Sequence, residues 1–150
     1  MKVVVQRVAW ARVSVEGRVV GECGPGLLVL AAAGKGDTLE MADKMADRVA
    51  GLRIFNDAEG KMNLALADLP PSGQSRVLAI SNFTLYGDVY VSRRPSFMRA
   101  AGYEEGQELF DRFVETLKTK VDGVETGEFG ADMKVELLND GPVTLAFDSK

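Results

Sequence analysis

The feature that most constrains the fold is a pair of short, uninterrupted apolar runs at residues 27–33 and 77–80. Each run is bounded by glycine or polar residues, and neither approaches the roughly 20 apolar residues that cross a bilayer. Runs of this length are typical of strands that are buried on both faces of a sheet. The chain is therefore expected to fold around a buried sheet, and no membrane partner is expected.

Two segments have helical periodicity. The first, at about 38–52, begins near Asp37 and Glu40, whose spacing resembles a capping box. The second, at about 103–120, has acidic residues toward its start and lysines at its end, which matches the helix dipole. The charges of the second helix are explained by helix stability, so we assign them no catalytic role.

The other segments predict strands. Residues 2–9 and 11–15 alternate or run apolar, and a Glu-Gly turn separates them from a further strand at 18–21, which predicts a hairpin. The last third predicts three further strands, at about 124–128, 133–138 and 143–148. The expected fold class is α/β, with mostly antiparallel β-sheets that form a barrel-like or sandwich core and two main flanking helices. Residues 1–150 are expected to form a single domain.

The composition restricts the chemistry. The chain has no histidine and one cysteine, Cys23, which removes Ser-His and Cys-His nucleophiles and the commonest metal ligand. No disulfide, metal or cofactor is expected. The net charge of −4 argues against a general nucleic-acid binder but allows a protein that grips one end of an RNA. The strand-like N-terminus has no signal-peptide pattern, so a cytoplasmic location is expected.

Two polar stretches form the candidate site. Ser81, Asn82 and Thr84 directly follow the buried run at 77–80, which places hydroxyl and amide groups at the rim of the core. The stretch 139–144, Asn-Asp-Gly-Pro-Val-Thr, has the same character near the C-terminus. The residues alone leave two readings open, because these groups could bind a ligand or satisfy backbone groups at strand ends.

The two stretches together resemble the paired signatures of the D-aminoacyl-tRNA deacylases, an SQFTL-type motif and an NxGPxT-type motif. Other segments resemble the same family in the same order and extend the resemblance over most of the chain. These segments are Gln6-Arg7-Val8, residues 26–30, residues 53–63, Arg94-Pro95-Ser96-Phe97 and Ala131-Asp132-Met133.

The resemblance implies a homodimer that hydrolyses the ester between a D-amino acid, or glycine, and the 3′-terminal adenosine of tRNA. This reaction is a chiral proofreading step in translation quality control. It also implies that a cis Gly141-Pro142 bond reaches from one subunit into the partner's pocket and fills the space of an L side chain. Arg7 would hold that incoming segment through its carbonyl groups, and Met133 would line the pocket.

The resemblance places the catalytic groups at Ser81, Asn82, Phe83 and Thr84. The backbone N–H groups of Phe83 and Thr84 would stabilise a tetrahedral oxyanion, and the ribose 2′-hydroxyl of the tRNA would help to activate water. Ser81 would hydrogen-bond in the pocket. The Thr84 hydroxyl would orient water, because no nearby base makes it a nucleophile. We interpret the side chains of Phe83 and Leu85 as core residues.

The sequence also has a basic group and two departures from the family pattern. Asn82 stands where the family usually has Gln, and residues 88–92 lack the small and basic residues of the family loop. Two alternatives stay open, a related enzyme that acts on mischarged L-aminoacyl-tRNA and a catalytically silent module that binds the tRNA end or a protein. The candidate tRNA phosphate contacts are Lys35, Arg93, Arg94 and Arg99.

Overall fold

The N-terminal stretch of alternating apolar residues forms one continuous strand in the computed structural model, which describes residues 1–149. Val3, Val5 and Val13 are buried while their neighbours are more exposed, because successive side chains of a strand point to opposite faces. In chain order the elements are β1 (Lys2–Val15), β2 (Arg18–Cys23), β3 (Gly26–Ala32), α1 (Leu39–Ala50), β4 (Phe55–Asn56), β5 (Met62–Leu64), β6 (Val77–Ser81), α2 (Tyr103–Lys118), β7 (Val124–Thr126) and β8 (Lys134–Asp148), with 3-10 helices at Leu66–Asp68 and Phe83–Tyr86.

The main sheet is mixed and nearly closed. β1 pairs antiparallel with β2, β3 and β8, whereas β6 pairs parallel with both β3 and β7. The edges β2 and β7 meet, since the Glu22 N–H donates to the Glu125 carboxylate at 3.2 Å. A Cβ at Gly21 would overlap the carbonyl oxygen of Thr126 on β7. The predicted barrel-like α/β fold with two main helices is therefore confirmed.

One prediction for the last third of the chain is wrong. The two C-terminal strands are parts of a single strand, β8, which stays paired with β1. Val8 lies opposite Asn139, and Gln6 lies opposite Thr144. Residues 140–143 therefore share one position of β1 and bulge from the ladder. A bulge re-aims a segment without ending the strand, which is why the Gly-Pro pair does not terminate β8.

The two helices lie where the periodicity predicts them. Their apolar faces are buried in the main core, and within residues 1–149 neither helix is long and apolar enough to cross a bilayer. The predicted cap at Asp37 is wrong, because the Thr38 hydroxyl accepts the Met41 N–H at 3.3 Å. The Asp37 carboxylate instead accepts the Gly34 N–H and pairs with the Met1 amine, both at 2.6 Å.

Candidate active site

A cavity of about 690 Å³ opens where β3 and β6 end. Its other walls come from the first half of α2, from residues 129–133 and from the start of β8. Most of the lining is apolar, and the polar groups are concentrated at the end of β6. A cavity of this size with few polar groups suits a small ligand or one end of a larger molecule.

The polar wall results from the way in which β6 ends. Ser81, the last residue of β6, lies opposite Ala31, whose carbonyl accepts the Asn82 N–H at 2.9 Å. The chain then turns into the 3-10 helix Phe83–Tyr86. The Leu85 N–H closes this turn by donating to the Asn82 carbonyl at 3.2 Å. The buried strand thus fixes where the turn begins.

The first two amides of the turn are unbonded. Within residues 1–149, neither the Phe83 N–H nor the Thr84 N–H donates to a protein acceptor. The first N–H groups of a helix have no partner inside that helix, so this is the expected result of starting a helix here. Both residues line the cavity. Two adjacent free donors on a cavity wall can stabilise an oxyanion that forms in front of them.

The side chains of the turn are accessible. The Thr84 hydroxyl donates to Asn82 Oδ1, so the shorter amide of Asn82 still reaches its neighbour. The predicted core position of Phe83 is wrong. Its side chain is 58% exposed and meets the Phe97 ring edge-on at 5.1 Å between centroids. Phe83 is exposed because the strand ends before it, while Leu85 is half-buried.

The residues that line the cavity include no acid–base pair. Asp132 is the acidic residue among them, and its exposed carboxylate pairs with Lys134 at 3.1 Å. Tyr86 ends the turn, and burial together with the Asp37 carboxylate 3.5 Å away raises the pKa of its phenol to about 12. Residues 1–149 bring together no group of three or more acids and thiols that could hold a metal ion.

Gly141 and Pro142 lie outside this cavity, at the exposed bulge of β8. Their peptide bond is cis, as the resemblance implies. Gly141 has a φ of +122°, a region that L side chains rarely adopt. A Cβ on Gly141 would lie 2.9 Å from Val143 Cγ2 and 3.0 Å from Arg7 Nη2. Both the backbone and its surroundings therefore require glycine at this position.

Arg7 braces the bulge from inside the chain. The residue is 8% exposed, its Nε donates to the Asp140 carbonyl at 3.1 Å, and its Nη1 donates to the Ile54 carbonyl at 2.8 Å. A second acceptor for Nη1 is Asn56 Oδ1 at 3.3 Å. Arg7 thus holds the Gly-Pro segment of its own chain. The contact with a partner's segment that the resemblance implies stays a prediction.

Met133 lines the cavity, as expected. Gln6, Tyr103 and Phe129 also line it, although the sequence analysis assigned these three residues no role. Tyr103 and Phe129 pack edge-on with centroids 5.1 Å apart. Strand alternation could have found Gln6, because a neighbour of the inward-facing Arg7 must point to the opposite face of β1.

The four basic candidates lie in two places. The Lys35 N–H donates to the Arg99 carbonyl at 3.0 Å, which makes these residues neighbours. Arg93 and Arg94 lie in an exposed loop that follows the turn. In the part of the chain that the structure describes, none of the four forms an ion pair with an acidic side chain.

Sequence comparison relates the chain to one family. The family model described as D-Tyr-tRNA(Tyr) deacylase matches residues 4–148. The chain is 52% identical over 149 residues to a D-aminoacyl-tRNA deacylase of Clostridium botulinum, which covers 99% of this chain and 97% of that protein. It is 51% identical, with the same coverage, to a D-aminoacyl-tRNA deacylase of Thermotoga petrophila.

Structural comparison agrees with the fold. A solved structure described as c-Myc DNA Unwinding Element Binding Protein has a TM-score of 0.90 and 34% identity, and the match covers 100% of this chain and 99% of that one. A probable eukaryotic D-amino acid tRNA deacylase has a TM-score of 0.74 at 19% identity and covers 98% of both chains. At that identity the second match supports the architecture alone.

Proposed function

The chain belongs to the D-Tyr-tRNA(Tyr) deacylase family, and on that premise we propose how its cavity hydrolyses the ester between a D-amino acid, or glycine, and the 3′-terminal adenosine of tRNA. The family and its relatives make the chain a hydrolase of D-aminoacyl-tRNA esters. The observation that carries the proposed mechanism is the pair of unbonded N–H groups at Phe83 and Thr84 on the cavity wall.

The free amides supply what an ester most needs. When water adds to the ester carbonyl, the negative charge gathers on one oxygen, and N–H donors held in advance stabilise that charge without reorganising. One such donor is typically worth about 2.7–4 kcal/mol of transition-state stabilisation. The Phe83 and Thr84 amides would bind this oxygen, and Ser81 on the same wall would hydrogen-bond the substrate.

Thr84 orients the attacking water in this proposal. Its hydroxyl proton is donated to Asn82 Oδ1, an amide oxygen that is too weak a base to create an alkoxide. The lone pairs of the hydroxyl remain free to accept a hydrogen bond from water. Thr84 therefore fits a positioning role better than a nucleophilic one.

The tRNA supplies the remaining assistance in this proposal. The chain has no histidine, and the acid on the cavity wall, Asp132, is exposed and paired with Lys134. The neighbouring ribose 2′-hydroxyl would help to activate the water. The water oxygen then bonds to the carbonyl carbon, the bond to the ribose 3′-oxygen breaks, and that oxygen leaves with a proton. An aminoacyl ester is activated enough for such a route.

In this proposal the discrimination between D and L esters depends on a second copy of the chain. Gly141 and Pro142 are exposed at the bulge and do not line their own cavity, so within one chain they have nothing to select. They lie on β8, an edge strand of 15 residues of which none is buried, and exposed strand edges favour association. We assign Gly141-Pro142 to the partner's cavity in a homodimer, where its backbone fills the space that an L side chain would need.

Lys35, Arg93, Arg94 and Arg99 would contact phosphates of the tRNA, because within residues 1–149 none of them is ion-paired and the net charge of the chain is −4. These contacts would hold the RNA end while the acidic body of the protein stays away from the rest of the duplex. We place this reaction in the cytoplasm, where charged tRNA is used for translation.

Purified protein tests the proposed function when it is given D-tyrosyl-tRNA and L-tyrosyl-tRNA at matched concentrations. We expect rapid hydrolysis of the D ester and little hydrolysis of the L ester, and sedimentation should show a dimer at the assay concentration. Equal rates on both esters would contradict the selection by Gly141-Pro142. Binding of D-aminoacyl-tRNA without hydrolysis would support a silent binding module instead.

A further inference from the structure

The loop of residues 87–96, here called the aromatic loop, exposes three large hydrophobic side chains that the proposed reaction does not use, Val89, Tyr90 and Val91. Tyr90 is 92% exposed and Val91 is 97% exposed. The loop follows the 3-10 helix of the cavity directly, so Tyr90 is only six residues from Thr84. A chain of that length spans at most about 20 Å, so Tyr90 lies within about 20 Å of Thr84 on the cavity wall.

The aromatic loop is held in place by its base. Asp88 and Ser96 exchange backbone hydrogen bonds of 2.8 and 2.9 Å, and the Asp88 carboxylate accepts the Tyr90 N–H at 3.0 Å. Phe97, directly after the loop, packs edge-on against Phe83 of the cavity wall. The backbone is thus tied to the turn that carries the free amides, while the Tyr90 ring itself stands in solvent.

The charge around the aromatic loop indicates the kind of partner. Arg93 and Arg94 lie in the loop, and Arg99 with Lys35 lies just beyond it. An exposed aromatic ring beside unpaired cations is the combination that binds single-stranded nucleic acid, because bases stack on the ring while phosphates meet the cations. Arg93 and Arg94 lie three and four residues from Tyr90 in the same loop, and two cations so near an exposed ring favour an RNA strand over an apolar protein surface.

We propose that Tyr90 is a stacking platform for the unpaired nucleotides that precede the terminal adenosine of the tRNA. The inference rests on the proposed function, which places that adenosine in the cavity. The contact is insensitive to sequence, since every base has a face that can stack.

The test compares two substrates. One is D-tyrosyl-tRNA, and the other is 3′-O-(D-tyrosyl)adenosine, which lacks the preceding nucleotides. For Tyr90→Ala we expect kcat/KM to fall about tenfold on the tRNA, as loss of one stacked base predicts, with the loss confined to that substrate. Tyr90→Phe should restore the wild-type value. Val91→Ala, an equally exposed neighbour, is the matched control and should stay within about twofold.

Salt dependence separates stacking from charge. Arg93→Ala should reduce the slope of log affinity for tRNA against log salt concentration by about 0.7, the value for one phosphate contact on a single strand. Tyr90→Ala should weaken binding and leave that slope unchanged. If Tyr90 had only a structural role, Tyr90→Ala would not weaken tRNA binding while leaving the salt slope unchanged.

Several results would overturn the inference. These are an equal loss on both substrates, no loss on the tRNA, and dissociation of a dimer by Tyr90→Ala, which would make the aromatic loop a protein interface. If the wild-type protein hydrolyses neither substrate, the proposed function fails by itself. Binding of uncharged tRNA by the wild type, Tyr90→Ala and Tyr90→Phe then decides the stacking proposal independently.

Discussion

The turn after β6 and the bulge of β8 are built in opposite ways. The turn follows a strand whose apolar residues are buried, and its free amides lie on a cavity wall of the same chain. The bulge lies on an edge strand with no buried residue, and the buried guanidinium of Arg7 braces it. Its glycine and proline lie outside the cavity of their own chain.

The difference separates rate from selectivity. In the proposed mechanism the groups on the turn contact the reacting carbonyl within one chain, so changing them should alter hydrolysis of both enantiomers by the same factor. In the proposed mechanism Gly141 and Pro142 act on a substrate held by another copy, so changing them should alter the ratio between the enantiomers. Variants in the two regions therefore give distinct signatures, and each prediction below asks whether that separation holds.

The largest effect is expected for Phe83→Pro, which removes one of the two free amides. Proline is well tolerated at the first position of a helix, where its missing N–H has no intrahelical partner in any case. We expect kcat to fall about 10²–10³-fold on the D ester, with the ratio of D to L hydrolysis unchanged. Single-turnover hydrolysis and a thermal melt measure the rate and the fold together.

Phe83→Ala is the matched control, because it removes the same ring and keeps the amide. Its loss should stay below about tenfold, since the exposed ring contacts Phe97 and not the core. If both variants lose activity equally, the amide of residue 83 is not an oxyanion donor, and the turn contributes through its side chain.

Gly141→Ala should break the other half of the comparison. The new Cβ would lie 2.9 Å from Val143 Cγ2, and the φ of +122° costs a side chain about 1–3 kcal/mol. The bulge must shift, and we expect the ratio of D to L hydrolysis to fall at least about tenfold while the D ester is still hydrolysed. Competition assays with both tyrosyl-tRNAs measure the ratio.

Gly17→Ala controls for backbone strain alone. Gly17 has a φ of +78° in the first hairpin, and a Cβ there would meet nothing within 4 Å. Its stability cost should be about 1 kcal/mol, with an unchanged ratio. A similar drop in the ratio for both glycine variants would show that selectivity follows general stability and not the bulge.

The sequence located both regions but not the details that set them apart. Apolar runs identified the buried strands, and the polar residues after residue 80 were correctly expected at the rim. The exposure of Phe83 could not be predicted from the sequence, because a 3-10 turn after a strand has no distinct apolar pattern. The cap at Thr38 was missed because Asp37 is drawn to the Met1 amine, a contact between distant parts of the chain. The Gly141-Pro142 pair predicted a break between two strands, whereas the structure has a bulge there and β8 continues through it.

A smaller effect is expected for Thr84→Ala. If Thr84 only orients water, kcat should fall by no more than about tenfold, equally on both enantiomers, and Thr84→Ser should recover most of the loss. The backbone hydrogen bonds from the Asn82 N–H to Ala31 and from the Leu85 N–H to Asn82 do not involve the Thr84 side chain. Both variants should therefore keep the turn, and a thermal melt checks that the fold is intact. Near-complete loss with an intact fold would favour a nucleophilic hydroxyl and would move the chemistry from the backbone to a side chain.

The smallest effect is expected at Cys23, which belongs to neither region. Burial raises the pKa of its thiol from 9.0 to about 11, so the neutral form persists throughout the neutral range and the thiolate forms only as the pH rises toward that value. With a pKa of about 11 in place of 9.0, the fraction of Cys23 present as thiolate at pH 8 is about a hundredfold lower. Iodoacetamide at pH 8 should therefore label Cys23 far more slowly than free cysteine and leave the deacylation rate unchanged. Rapid labelling that abolishes hydrolysis would place a nucleophilic thiol in the reaction, and the division between a backbone turn that sets the rate and a backbone bulge that sets the handedness would no longer account for the activity.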